Sequence, residues 1–455
     1  MNTRCRNLHI PLVLEALFLA GLSMLQATHA QPADRAYYWT QVSASAPWPT
    51  RTIHAALNFK NKIWVIGGFT YPNGLVNDVW SSPDGRTWTL EANALAWLNG
   101  RGKGRVVVFA DKLWVVGNSI SPNDTWNSPD GVRWSQVVPN TAWGSRADAE
   151  IILFKNRLWV LGGMDTASAT DLNDVWSSSD GIQWIQDVEH TVWSPRSVNA
   201  VVFKEKLWVI GGCHYISSTG GETWFHDAVY SIDGISWIPV PAVGVGFHCA
   251  LAEFDNQLWD IDRSSSYCGY YGCYIVVHNE VWRSQDAADW HQMPNAPWSA
   301  RYGQATVAFD GKLWVLGGGH DDPNYTALND VWNLTPVSLD INTGQRQLYA
   351  LGDPMTLILT ASALSGTVHY QWSKDGNSLP GATSDTYHVD AFTANDAGAY
   401  TCELTGDTFG SAGPVEIGVA PPKMPAASPA GLAFGVCLTA AVLIFRKRKS
   451  PYRGQ

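Results

Sequence analysis

The 455-residue chain has no glycine-rich phosphate loop, no cysteine and histidine set at zinc spacing and no nucleophile motif. The usual signatures of nucleotide, structural-metal and acyl-transfer chemistry are therefore missing. Basic residues are also scarce: 30 Lys and Arg stand against 40 Asp and Glu, a formal charge of −10. That balance argues against nucleic acid as a partner, because phosphate backbones are bound through clustered cations. Charged residues make up only 15% of the chain, whereas 45% is apolar and 12% aromatic, enough to bury several cores in two or three domains. Of the 24 Trp, 23 fall between residues 39 and 332, so the aromatic excess belongs to one region.

That region is a sixfold repeat. Asn61-Lys-Ile-Trp-Val-Ile-Gly-Gly68 and Asn77-Asp-Val-Trp80 return as variants, with the first Trp at 64, 114, 159, 208, 259 and 314 and spacings of 50, 45, 49, 51 and 55 residues. Such a period signals a propeller. Each unit breaks into four short strands: an apolar run such as Ile53 to Phe59, an alternating run such as Lys62 to Ile66 that stops at a glycine pair, the Asp-Val-Trp strand, and a fourth after a Pro-Asp-Gly or Ser-Asp-Gly turn. Four strands repeated radially make a blade. Fourth-strand text is missing after Pro336 and sits instead at Tyr38-Trp39-Thr-Gln-Val42, so the first strand is expected to complete the last blade.

The glycine pairs and spaced aromatics resemble the kelch repeat over roughly residues 37 to 336. The expectation is a six-bladed kelch-type β-propeller spanning 31–336. The Ser-Pro-Asp-Gly-Arg-Thr-Trp88 hairpin is similar to the Asp box of sialidase-type propellers but is one residue short, and reads as a turn device.

Both ends differ in composition. Residues 1–30 read as a signal peptide, with Arg4 and Arg6, an apolar stretch Ile10 to Leu25 and a small-residue site at Thr28-His-Ala30. Without this segment the charge becomes −11, and the mature chain is expected outside the cytosol. Cysteine usage fits export. Cys268 and Cys273 bracket a short loop and are expected to bridge. A Cys213–Cys249 bridge is expected across adjacent blades, since Cys213 follows a glycine pair and Cys249 starts the next blade's first strand.

Residues 337–419 form a second expected domain. Tyr370-Gln-Trp-Ser-Lys-Asp-Gly376 and Asp396-Ala-Gly-Ala-Tyr-Thr-Cys402 resemble the strand C Trp and the tyrosine corner of an immunoglobulin-like β-sandwich. Cys402 has no cysteine opposite it, so Trp372 and aliphatics must hold the two sheets. A Pro/Ala linker follows at 420–429, then an apolar segment at 430–445 and the basic tail 446–455. Their order resembles PEP-CTERM sorting tails, which imply a sorting enzyme as partner, and equally fits a single membrane span.

The linkers between blades carry Trp48-x-x-Arg51, Trp143-x-x-Arg146, Trp193-x-x-Arg196 and Trp298-x-x-Arg301. Indole faces and guanidinium groups suit sugars or carboxylates, but a pair recurring in this way reads as scaffold. Breaks in the pattern point instead to blades four to six, where His214, Tyr215, His248, Arg263, Tyr270, Tyr271, His320 and Asp321 are the candidate ligand-binding residues. The resulting expectation is a surface-displayed, non-enzymatic protein that binds carbohydrate or another protein and needs no cofactor. The alternative is an extracellular kelch enzyme. A copper-radical sugar oxidase similar to galactose oxidase would use His214, His248 and His320. A sugar mutarotase, a second activity found on kelch propellers, would draw its acid and base from Glu150 and Glu253 on first strands.

Overall fold

The six apolar first strands each turn back on themselves through two residues. The turns are Lys60-Asn61, Ala110-Asp111, Lys155-Asn156, Lys204-Glu205, Asp255-Asn256 and Asp310-Gly311, all at positive φ. This is the left-handed pair that a right-twisted hairpin selects. A second device locks each turn: the indole of Trp64 donates to the Phe59 carbonyl at 2.8 Å, and Trp114, Trp159, Trp208, Trp259 and Trp314 do the same to the Phe five residues earlier.

The structure is a computed structural model that describes residues 35–421 apart from 71–73, 94, 96–105, 118–122, 217–220, 241–249, 263, 270–271, 321–325 and 345–346. The expected signal peptide, the apolar segment 430–445 and the basic tail lie outside the described residues. The described residues are mainly strand, with a short 3-10 turn at Ala394–Asp396. No helix among them is long and apolar enough to cross a membrane.

Backbone contacts divide the chain into two compact units. The first runs to Leu339 and adds residues 361–370 and 403–412. Its core is a propeller-like ring of sheets. Five sheets are separate: the one built from Ala55–Phe59, Lys62–Ile66, Val79–Ser82 and Thr89–Ala92 is followed by four others with the same order, the second of which gains a short strand at Arg146–Ala147. The sixth repeat does not stand alone. Its strands Ala305–Phe309, Lys312–Gly319 and Ala327–Asn342 belong to an eleven-stranded sheet, and the next strand across is Arg35–Ser43, antiparallel with Trp39 opposite Leu334. The start of the chain thus hydrogen-bonds along the third strand of the last repeat, which removes an open edge. The first strands neighbour one another in a closed cycle that returns from Ala305–Phe309 to Ala55–Phe59.

Tryptophan also joins sheet to sheet. The turn glycine Gly85 lies under the Trp314 ring, Gly131 under Trp64, Gly181 under Trp114 and Gly234 under Trp159. Repeats two to four therefore seat their hairpin turns on the second-strand Trp of the repeat before, and the first repeat seats on the sixth. The carboxylate of the same turn is held below the usual range: burial of Asp84 opposes ionisation, but the Thr87 and Arg86 amides donate to it at 2.7 and 2.8 Å. Asp233 falls to about 2 in the same arrangement. These contacts account for the Ser-x-Asp-Gly text as a turn device.

The second unit comprises 340–360, 371–402 and the chain from 413. Met355–Ala361 pairs antiparallel with Thr386–Val389. Trp372 is wholly buried and donates to the Ser384 carbonyl at 2.9 Å. The Tyr400 hydroxyl donates to the Asp396 carbonyl at 2.6 Å, with Cys402 buried beyond it.

Cys213 is buried, and the expected bridge to Cys249 involves a residue outside the described ones. Its backbone amide and carbonyl both bond to Ser197, at 3.0 and 2.9 Å, which ties its backbone to the linker of its own repeat. Residue 249 lies outside the described residues. Cys268 and Cys273 face each other in register across the ribbon Ser264–Gly269 and Gly272–Val277.

Candidate functional site

The recurring Trp-x-x-Arg and Asn-Asp-Val-Trp texts meet each other. Arg51, wholly buried, donates to both oxygens of Asp78 at 2.7 and 2.9 Å and to the Gly67 carbonyl at 2.8 Å. The Trp80 indole donates to the same carboxylate at 2.8 Å. Arg146 with Asp174, Arg196 with Asp227 and Arg301 with Asp330 repeat the two-pronged pairing. The Asn before that Asp ties the linker down: Asn329 donates to the carbonyls of Ala46 and Trp48, and Asn173 and Asn279 act alike. The two terminal nitrogens of each guanidinium are engaged by the carboxylate inside the protein, so these arginines are scaffold.

What the scaffold leaves open is the middle. The starts of the six first strands enclose a cavity of about 350 Å³. Small and apolar side chains make most of its wall, among them Ala55, Val106, Ile151, Ala200 and Leu251. Five polar side chains interrupt it: His54, Glu150, Asn199, Gln304 and Thr306. A concavity in which a few polar groups converge among apolar ones is a common form of small-ligand site.

His54 is buried, with neither ring nitrogen partnered inside the protein. Burial first and the Arg51 charge second push its pKa down to about 3, so the ring is neutral. Gln304 donates from Nε2 to the Ile261 carbonyl at 3.1 Å, which leaves its buried Oε1 unpartnered.

A second unusual group sits in repeat five. Asp262 stands where other repeats have the first glycine of the pair, at φ 59 and wholly buried. Burial raises its pKa to about 8, against the opposing pull of the Trp298 indole, which donates to its oxygens at 2.8 and 3.0 Å.

The residues singled out from the sequence fall elsewhere. His214 contacts Asp171 at 2.5 Å through Nδ1, and its side chain is about half exposed. His320 bonds to the Ala300 carbonyl at 2.9 Å and to Ser299 at 3.3 Å. These two have separate partners in different repeats. Tyr215 lies in the strand Cys213–Ile216, while His248, Arg263, Tyr270, Tyr271 and Asp321 lie outside the described residues. No group of three or more metal-ligating side chains converges among the described residues. Of the two acid/base candidates, Glu150 lines the cavity, whereas Glu253 is exposed on its strand. The reading by motif missed His54, Asn199 and Gln304. The signal available was a break in type just before the first strand, where His54 and Gln304 stand against Ala149 and Val198.

Comparison with known proteins adds fold and little more. No family model matches the chain. A decoration protein of Escherichia phage T5 is 39% identical over 54 residues, which is 12% of this chain. The match spans a third of that protein's length. A solved structure titled "Structure of YjhT" superposes with a TM-score of 0.51 at 12% identity, covering 71% of this chain and all of that one. The likeness shows the fold alone.

Proposed function

We propose that the chain is an exported recognition protein: a six-bladed kelch-type propeller that binds carbohydrate, displayed by an immunoglobulin-like module and held by or processed at its C-terminal apolar segment. The observation that carries the reading is the central cavity, closed by a full cycle of first strands and lined by sparse polar groups. The linker indoles are buried and the linker arginines are paired with carboxylates, so the cavity and the loops above it remain for ligand. Counting the strand pair Arg35–Ser43 and Ala327–Asn342 as the closure of a last blade gives six blades for six repeats. Trp372 buried against its sheet and the Tyr400 to Asp396 bond support the immunoglobulin-like reading of the second unit.

The test is a glycan-array and calorimetric screen of the full chain. Binding of a defined sugar, weakened by Asn199→Ala in the cavity wall, is expected. Sugar binding that Asn199→Ala leaves intact, or a protein ligand and no glycan, would move the site to the loop face.

One observation favours a second reading. Glu150 brings a carboxylate to the cavity wall, and a mutarotase requires such a group to move the anomeric proton. Accelerated anomer exchange in NMR, lost in Glu150→Gln with sugar affinity kept, would make the protein an enzyme.

A further inference from the structure

We propose that His54 and Gln304 form an uncharged hydrogen-bonding subsite, in the central cavity, for a hydroxyl group of a neutral sugar. The inference rests on the cavity reading above and adds the part of the ligand that is recognised.

The two residues are neighbours by construction. Their hairpins adjoin, with the Ile53 amide donating to the Gly303 carbonyl at 2.6 Å. Both side chains also flank one glycine pair: a methyl added at Gly317 would lie 3.1 Å from His54 Cε1, and one added at Gly318 would lie 3.1 Å from Gln304 Cβ. Those glycines, at φ 55 and 100, let the backbone pack directly against the two side chains.

Scaffold needs do not explain them. Ala149 and Val198, just before the first strands of their own repeats, close the ring with apolar side chains. His54 is 7% exposed with two unpartnered nitrogens, and it lines the cavity. A buried polar group is normally bonded, and one that is not, facing a cavity, is placed for something that enters.

The donor pattern selects the ligand. Neutral imidazole offers one N–H and one acceptor nitrogen, and Gln304 Oε1 adds an acceptor. A hydroxyl both donates and accepts, and so satisfies the pair. A carboxylate only accepts, and the described arginines beside the pair are already engaged, Arg51 with both oxygens of Asp78 and Arg301 with both oxygens of Asp330. The cavity volume lies within the usual span of small-ligand sites, roughly 300–1,000 Å³.

The experiment is calorimetric titration of the full chain with glucose, galactose, mannose and N-acetylglucosamine, with galacturonic acid as the charged counterpart of galactose. Four variants accompany it: His54→Leu, Gln304→Leu, His54→Gln and Asn199→Ala. A neutral sugar is expected to bind, with affinity at least tenfold weaker in each leucine variant and partly regained in His54→Gln. Unfolding temperature should hold or rise in His54→Leu, because an unpartnered buried ring is replaced by an apolar one. Leucine variants that bind as the parent does, while Asn199→Ala does not, would overturn the subsite and leave the cavity reading standing. Galacturonic acid bound more tightly than galactose would overturn the neutral-ligand claim. No sugar bound by the parent would bring down both. A large fall in unfolding temperature in both leucine variants, with no recovery of binding in His54→Gln, would make the pair structural and overturn the proposal.

Discussion

Repeats one and five show what the scaffold requires and what it tolerates. In repeat one, Arg51 clamps Asp78 and the Gly67 carbonyl, and Gly85 lets the turn lie on Trp314. Repeat five has no arginine between Trp237 and Arg263, places Asp262 at the first glycine position, Glu280 at the clamp aspartate and Ala287 at the turn glycine. Yet its four strands form the same sheet, and Trp259 still donates to the Phe254 carbonyl at 3.1 Å. The hairpin and its indole bond are therefore the minimum for a blade, and the clamp is reinforcement that a given repeat can forgo if its charges change together.

Breaking the clamp on one side only is expected to have the largest effect. Arg51→Met leaves Asp78, 6% exposed, as a buried carboxylate without its cation, a loss of about 3–5 kcal/mol. Urea unfolding of the full chain checks it. A loss under about 1 kcal/mol would mean that repeat one needs its arginine no more than repeat five does. Next in size is Gly85→Ala. The new methyl would overlap the Trp314 ring, and φ 69 disfavours any side chain, which together cost about 2–4 kcal/mol. The same urea measurement reads it, and an unchanged midpoint would show that the turn does not seat on that ring.

The exchange of glycine for aspartate at 262 sharpens the comparison through pH. Its folded pKa is raised to about 8 from the ordinary carboxylate value of 3.8, so between those values the fold holds a proton that the unfolded chain has released. Stability therefore falls as pH climbs from about 4 to about 8. Asn in its place keeps an acceptor for Trp298 and tolerates φ 59. Asp262→Asn should then be more stable than the parent at pH 7.5 by about 2–3 kcal/mol, with the slope removed. His54 tilts the other way. Its folded pKa is lowered to about 3 from 6.5, so below pH 6.5 the unfolded chain takes up a proton that the fold refuses, and stability drops toward acid. His54→Leu should abolish that acid-side loss. Unfolding temperatures from pH 4 to 8.5 separate the two, and parallel curves for parent and variants would refute both assignments.

Legibility in the sequence followed the repeat. The strands, the aromatic landmarks and the pairing of Tyr38 to Val42 with the last repeat were readable because each rests on local pattern: period-two burial, a two-residue turn, and an absent fourth strand with its text displaced to the start. The cavity was not readable as a site. His54, Asn199 and Gln304 lie at the ends of strands in three repeats and meet only when the ring closes, over sequence separations that no motif spans. Conspicuous loop residues drew attention instead, and His214 turned out to have its partner in Asp171.

The smallest effect tests the comparison from the other side, by restoring in repeat five what repeat one has. Ala287 sits at φ 66, wholly buried in the cluster that holds Trp208, and its amide donates to the Ser284 hydroxyl at 2.9 Å. A left-handed alanine costs about 1 kcal/mol that glycine does not, while a glycine adds freedom to the unfolded chain and gives up one buried methyl. The terms oppose each other, so Ala287→Gly should change stability by no more than about 1 kcal/mol in either direction. A loss of 2 kcal/mol or more in urea unfolding would show that the methyl fills space that the other repeats leave to the indole ring. Repeat five would then be a blade repacked around alanine, and not a weaker copy of repeat one.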